Sequence, residues 1–282
     1  MTSITPQSDV DPGTNGDGRL IQLDIDGAHS SLAVRFATPE NGTMDDATSD
    51  LAVLYSHGFA SSQGGEKAGF FRRRFLDLGL AFCSFDFQGH GASGGGMRDL
   101  TLSRNLDDIA CVQSFLETRG YRRFVLFGSS MGGGTALWHA TRRPETAVAC
   151  ILIAPAVDFG GGLRRRLGPE GLDKWRDDGV LVWPHELGVQ EIGWDLMADL
   201  DIYPLQRLAD VYRSPGLIFQ GTNDDSVDYR DVIRFVDSCD ESALHLHLMT
   251  DGDHRLIDRL DLLWSLTESF LDYRGLLSGA MD

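Results

Sequence analysis

A chain of 282 residues with 42 acidic side chains against 25 basic ones carries a formal net charge of −17. That balance repels nucleic-acid phosphates and anionic lipid surfaces, so neither is expected as a partner. With 42% apolar and 9% aromatic residues, the chain has the composition of a globular protein, and its length suits one large domain or two small ones.

In chain order, residues 1–18 are dominated by Asp, Pro, Gly, Ser and Thr. They lack the basic-then-apolar pattern of a signal sequence and are read as a disordered tail on a cytoplasmic protein without a membrane span. Runs at 20–25 and 32–36 predict a hairpin about Gly27, and a polar loop follows over 38–50. The apolar run 51–56 predicts a buried strand ending at His57-Gly58-Phe59. A helix over 67–78, a strand over 81–86 and a glycine-rich loop over 88–96 come next, then an amphipathic helix over 102–119. Strands at 124–127 and 147–153 flank a helix-forming run. This alternation predicts an α/β fold with a mostly parallel central sheet between helical layers. Between 158 and 212 no sheet pattern is legible. Three of the five tryptophans, Trp175, Trp183 and Trp194, lie there, and the segment is read as a small lid insertion laying apolar surface over a pocket. Strands at 216–220 and 244–249, with helices at 229–236 and 256–273, complete one domain over 19–282.

The stretch Phe124-Val125-Leu126-Phe127-Gly128-Ser129-Ser130-Met131-Gly132 runs from a buried strand through Gly-x-Ser-x-Gly into a helix. That context is the nucleophile elbow, a strained turn presenting Ser130 at a helix start. A serine hydroxyl needs a neighbouring base, and the base an orienting acid. Asp224 follows the 216–220 strand and His254 follows the 244–249 strand, so parallel strands deliver both to the edge that carries the elbow. Asp225 competes with Asp224 for the acid's role, and Asp158 more distantly. Backbone N–H groups of Phe59 and Met131 are placed to hold an oxyanion, while His57 is read as a brace for its loop.

Together His57-Gly58-Phe59, Phe85-Asp86-Phe87-Gln88-Gly89-His90-Gly91-Ala92-Ser93-Gly94, Gly128-Ser129-Ser130-Met131-Gly132, the Asp224 loop and Gly252-Asp253-His254 resemble the α/β-hydrolase superfamily over residues 51–273. Within it, Gly64-Gly65-Glu66-Lys67-Ala68, Asp178-Gly179-Val180 and Asp253-His254-Arg255 look like the palmitoyl-protein thioesterase and acyl-glucuronide esterase branch. The cinnamoyl and feruloyl esterases share His-Gly-Phe and the Gly-His-Gly-x-Ser loop. The resemblance implies Ser130 as nucleophile, Asp224 as acid, His254 as base and a small-molecule acyl ester or thioester as substrate, with no cofactor. A peptidase with the same three residues, and a non-catalytic receptor on the same fold, are the alternatives.

Other signals favour structure over chemistry. The four cysteines lack CxxC spacing, and three read as buried thiols. His245 and His247 alternate along a strand without further ligand positions, so no metal is expected. Arg164-Arg165-Arg166 is read as a solvated face, with an anion grip as the alternative. Oligomeric state is not legible.

Overall fold

The strands form where β-branched and aromatic residues run without charge, and the helices where apolar residues recur every third or fourth position. In this computed structural model the described residues are 6–10, 18–25, 30–39, 50–185, 188–239 and 243–277. The elements in chain order are β1 (Pro6–Val10), β2 (Arg19–Ile25), β3 (Ser30–Ala37), β4 (Leu51–Ser56), α1 (Glu66–Asp77), β5 (Ala81–Phe85), α2 (Leu102–Glu117), β6 (Arg123–Ser129), α3 (Met131–Arg142) and β7 (Ala147–Ile153). There follow α4 (Phe159–Asp178), β8 (Val180–His185), β9 (Gly188–Gly193), α5 (Asp195–Leu200), α6 (Leu205–Val211), β10 (Gly216–Gly221), α7 (Tyr229–Ser238), β11 (Leu244–Met249) and α8 (Leu260–Tyr273).

A nine-stranded sheet runs in the order β1-β2-β3-β5-β4-β6-β7-β10-β11. Every pairing from β5 to β11 is parallel, and β1, β2 and β3 add antiparallel strands at one edge. This is the α/β-hydrolase architecture. Both faces are covered, which is why the central strands are apolar throughout rather than alternating. On β6, Phe124 and Leu126 face a core shared with α2, α3 and α7, while Val125 and Phe127 face one shared with α1 and α8. Phe127 is buried edge-on against Phe71 of α1, with ring centroids 4.6 Å apart.

Two segments differ from the sequence expectation. Within the stretch read as a disordered tail, Pro6–Val10 forms β1 and pairs with β2, supplying backbone partners to an otherwise open sheet edge; the rest of residues 1–17 lies outside the described residues, as do 26–29 of the predicted Gly27 turn and 40–49 of the predicted loop. The second is 158–212, which contains a long helix, a two-stranded antiparallel hairpin of β8 and β9, and two short helices. The helix α4 breaks at Gly168, at φ 65 and ψ 175, just before Pro169. Strand β8 carries no strand pattern in the sequence because Val182, 58% exposed, puts an apolar side chain on its outer face, which erases the alternation.

The interior also holds three imidazoles that burial keeps neutral and one carboxyl that burial makes easier to protonate. His57, His90 and His139 are each pushed down to about 4, chiefly by desolvation. Asp108 is pushed up to about 6 by burial, against the hydrogen bonds it accepts from Gln88. Between the ordinary histidine value near 6.5 and about 4, the unfolded chain takes up protons that the fold refuses, so the histidine contribution is present above pH 6.5 and lost below it. Asp108 acts in the opposite sense, since the fold takes up its proton first.

Three groups against one give a net loss, so the urea midpoint of unfolding should fall between pH 7 and pH 4.5, with a shallower fall in His139→Gln. Glycine positions give a second test. A Cβ on Gly132 would lie 2.3 Å from the Ser56 carbonyl oxygen, whereas one on Gly69 of α1 meets no atom within 4 Å. Gly132→Ala should cost about 3 kcal/mol or abolish folding, and Gly69→Ala should gain about 0.5–1 kcal/mol, both read from urea unfolding.

Candidate active site

The turn between β6 and α3 places Ser130 at φ 54 and ψ −121, a conformation that side-chain-bearing residues rarely adopt. Small neighbours make it fit. A Cβ on Gly128 would lie 2.5 Å from the Gly132 carbonyl oxygen, so strand and helix meet backbone to backbone. The Ser130 carbonyl accepts from the N–H groups of Gly134 and Ala156, each at 3.0 Å, and the Ser130 N–H donates to Ile153 O at 2.9 Å. The Ser130 hydroxyl is thereby held at the carboxyl edge of the sheet.

His254 and Asp224 reach the same edge on adjoining loops. The Gly221 and Gly252 backbones are in contact, and Asn223 N–H donates to Gly252 O at 3.0 Å. Asp253 Oδ1 accepts from the N–H groups of Arg255 and Leu256, which folds the histidine loop into a tight turn. The structure then brings Ser130, His254 and Asp224 into one hydrogen-bonded chain. Ser130 Oγ lies 3.0 Å from His254 Nε2, and His254 Nδ1 lies 2.9 Å from Asp224 Oδ2. A carboxylate partner fixes the proton on Nδ1 and leaves Nε2 as acceptor for the serine hydroxyl. Asp224 Oδ2 also accepts from Gln220 Nε2, and Oδ1 from the N–H groups of Ser226 and Val227. Burial would raise this carboxyl, but the His254 bond and the two backbone donors hold it below the ordinary range.

The competing carboxylates also line the cleft but have other partners. Asp225 is exposed at the cleft and accepts from Ser226 Oγ. Asp158 caps the N-terminus of α4 through Gly161 N–H and pairs with Arg165 at 3.1 Å.

Gly58 packs directly on the elbow, where a Cβ would come within 3.2 Å of the Ser130 Cβ, so the loop bearing Phe59 N–H faces Ser130 from one side. Met131 supplies the first N–H of α3, which has no intrahelical acceptor. His57 is fully buried and works as a brace: Nε2 accepts from Phe87 N–H at 3.1 Å and Nδ1 donates to Gly58 O at 2.7 Å. Two further anchors were not singled out from the sequence. Asp86 accepts from Gln63 N–H, Gln63 Nε2 and Ala92 N–H, tying the loop of Phe59 to the glycine-rich loop. Lys67 donates from Nζ to Ser129 Oγ at 2.8 Å. An aspartate closing an apolar strand, and a lysine in a chain that has only one other, were the available signals.

A cleft of about 1000 Å³ opens over Ser130 and His254. Leu163, Trp183, Ile192 and Leu196 form its wall on the side of the 158–212 segment. Only Trp183 of the three tryptophans lines it, edge-on to Phe59 at 6.2 Å. Trp175 and Trp194 instead pack on each other at 5.4 Å, and Trp175 Nε1 donates to Ile192 O, so they hold the segment together rather than face a ligand. The arginine triplet divides likewise: Arg164 pairs with Asp201, Arg165 with Asp158 and Asp231, and Arg166 lies over the Trp183 ring at 4.8 Å. Cys83 and Cys150 are buried, while Cys111 and Cys239 are partly exposed, so two thiols rather than three are buried. Among the described residues no group of His, Cys, Asp or Glu is placed to hold a metal ion, and no helix is long and apolar enough to cross a membrane.

Comparison with known proteins gives likenesses of sequence and of fold. The family described as serine aminopeptidase, S33, matches residues 47–172. The mitochondrial palmitoyl-protein thioesterase ABHD10 of Bos taurus is 24% identical over 216 residues, which cover 74% of this chain and 69% of that protein. Its Homo sapiens counterpart is 26% identical over 213 residues, covering 74% and 69%. Among solved structures, ferulic acid-bound Est1E from Butyrivibrio proteoclasticus superposes with a TM-score of 0.76 at 21% identity, covering 88% of this chain and 97% of that one. Alpha/beta hydrolase domain-containing protein 10 from mouse gives 0.76 at 23% identity, covering 90% and 98%. With its sheet order, its elbow and these likenesses, the chain has the α/β-hydrolase fold and resembles the palmitoyl-protein thioesterases in sequence.

Proposed function

We propose that this protein is a serine hydrolase that cleaves carboxylic esters or thioesters through an acyl-Ser130 intermediate. The observation that carries the reading is the unbroken hydrogen-bonded chain from Ser130 Oγ through His254 to Asp224 at the floor of the cleft. Ser130 Oγ attacks the acyl carbonyl carbon while His254 Nε2 takes its proton. Negative charge gathers on the carbonyl oxygen, where the N–H groups of Phe59 and Met131 stabilise it. The bond to the alcohol or thiol breaks as His254 returns the proton to the leaving group. Water then enters, His254 takes one of its protons, and attack on the acyl carbon releases the carboxylic acid and restores the Ser130 hydroxyl. Asp224, saturated with donors and ionised, holds the imidazole in its tautomer and stabilises its charged form.

The apolar wall of Leu163, Trp183, Ile192 and Leu196 suits the acyl side of a substrate. The naming of relatives as palmitoyl-protein thioesterases, and the ferulic acid bound to Est1E, support an acyl ester or thioester. The serine aminopeptidase family description favours a second reading, in which the same residues cleave aminoacyl amides.

A fluorophosphonate probe should label the wild type and leave Ser130→Ala unlabelled. The variant's kcat/KM on p-nitrophenyl esters should fall by about 10⁴-fold or more. A panel of short and long acyl esters, acyl thioesters and aminoacyl naphthylamides then ranks the two readings. Folded wild type that takes no label and turns over no member of the panel would overturn both.

A further inference from the structure

Lys67 is the second residue of α1, eight positions beyond Phe59, and its side chain crosses the cleft wall to the residue beside Ser130. There the ammonium donates to the neutral Ser129 hydroxyl at 2.8 Å. It is one of two lysines in the chain, while arginines carry the rest of the basic charge, and the other, Lys174, sits exposed beside Asp178. A partly buried ammonium ordinarily sits against a carboxylate, because desolvating the charge alone is costly. Here the direct contact is a hydroxyl on the elbow.

The position of that contact explains its use. The loop from Gly58 to Gly65 carries the Phe59 N–H and bends through Ala60 at φ 50. Internal turns join Ser61 N–H to Gly58 O and Gly65 N–H to Ser62 O, both at 3.2 Å. Near its middle it is clamped by Gln63 on Asp86 and on Ala33 O. At its far end it enters α1, and the bond from Lys67 to Ser129 joins that end to the elbow. We propose that Lys67 is a positioning residue: its ammonium, bound to Ser129 Oγ, locks the loop carrying the Phe59 N–H to the elbow carrying the Met131 N–H, and so fixes the spacing of the two oxyanion donors. The proposal rests on the acyl-serine reading above and adds a residue that neither the elbow motif nor the Ser130–His254–Asp224 chain contains.

Charged groups from every side set the state of this ammonium. Burial and Arg255 push its pKa down to about 8, while Asp253 and Asp224 pull it up. Asp253, His254 and Arg255 face it from the loop after β11, Asp224 from the loop after β10, and Glu66 lies beside it on α1. Rising pH therefore strips the proton near 8, well before an ordinary lysine at 10.5 would lose it. The ammonium-to-hydroxyl bond weakens over that range, and turnover falls with it. The wild type should show an alkaline limb in kcat near pH 8.

The test compares wild type, Lys67→Met, Lys67→Arg, Ser129→Ala and the double variant Lys67→Met/Ser129→Ala on one p-nitrophenyl ester, with kcat and KM measured from pH 6 to 10. Lys67→Met should lose about 10- to 100-fold in kcat with little change in KM, and its alkaline limb should vanish. Lys67→Arg keeps its charge across the range, so it should recover part of the rate and lose the limb. Ser129→Ala should lose a similar factor, and the double variant no more than either single one, as expected for two ends of one bond. Urea unfolding of each variant separates positioning from stability. If Lys67→Met does not fold, Ser129→Ala, which removes only the acceptor, carries the test. Wild-type kcat with a retained alkaline limb in Lys67→Met, wild-type kcat in Ser129→Ala, or additive losses in the double variant would overturn the proposal. Turnover that survives in Ser130→Ala would instead overturn the acyl-serine reading.

Discussion

Ser130 occupies a backbone conformation that costs about 1–3 kcal/mol for a residue with a side chain. It persists because its surroundings leave it no alternative. Its N–H and carbonyl are bonded to Ile153, Gly134 and Ala156. Ser56 Oγ donates to Gly132 O at 3.0 Å and to Phe127 O at 3.3 Å, which pins the first turn of α3 to the end of β4. The glycines at 128 and 132 are needed because the backbone itself fills the space a Cβ would take. A strained turn held by a parallel sheet on one side and a helix on the other is rigid. Rigidity at the hydroxyl makes the hydrogen bonds of its neighbours directional.

From that turn outward, each group near Ser130 is fixed by a partner that itself belongs to the sheet edge. Asp86 follows β5 and accepts from two loops at once. Its side chain lies so close to Gly91 that a Cβ there would meet Asp86 Oδ2 at 2.2 Å, which is why the glycine-rich loop wraps the carboxylate without side chains of its own. His57 lies between that loop and the loop of Phe59 and is held neutral by burial, so it bonds through one donor and one acceptor nitrogen. The 158–212 segment joins this frame through its hairpin. A Cβ on Gly193 would meet the Arg98 carbonyl oxygen at 2.3 Å, so β9 rests on the end of the glycine-rich stretch. The cleft wall and the loop of Phe59 thus share supports, and Trp183 on Phe59 completes the contact.

Much of the fold is legible in the sequence because its strands are buried on both faces and its helices on one, and both patterns survive in the order of residues. The elbow was legible for a related reason: Gly128, Ser130 and Gly132 encode steric demands that few other residues meet. What escaped is what depends on long-range contact. The β8 and β9 hairpin owes its form to pairing and to the inner packing of Leu181 and Trp183, while its outer face shows Val182 and Val189 to solvent. The tryptophans of that segment suggested cover for a pocket, but Trp175 and Trp194 satisfy each other, and only the tertiary structure distinguishes a core aromatic from a lining one. In the sequence Lys67 is one residue of the run Gly64-Gly65-Glu66-Lys67-Ala68. Its partner lies 62 positions away, beyond the reach of local pattern.

The pair Asp224 and Asp225 shows how finely such contacts decide chemistry. The two are adjacent and identical in type, and composition or propensity alone would not separate them. Asp224 receives four donors, from His254, Gln220 and two backbone N–H groups, and is drawn below the ordinary carboxylate range. Asp225 stands exposed with a serine hydroxyl for a neighbour. The difference is set one turn upstream, where Gly221 and Gly252 meet without side chains and let the β10 loop descend onto the histidine loop. A side chain at either glycine would hold those loops apart and carry the Asp224 carboxylate away from His254 Nδ1. Two glycines without side chains thus let Asp224, and not the carboxylate one residue on, reach His254 Nδ1, and the two carboxylates come to sit in unlike environments.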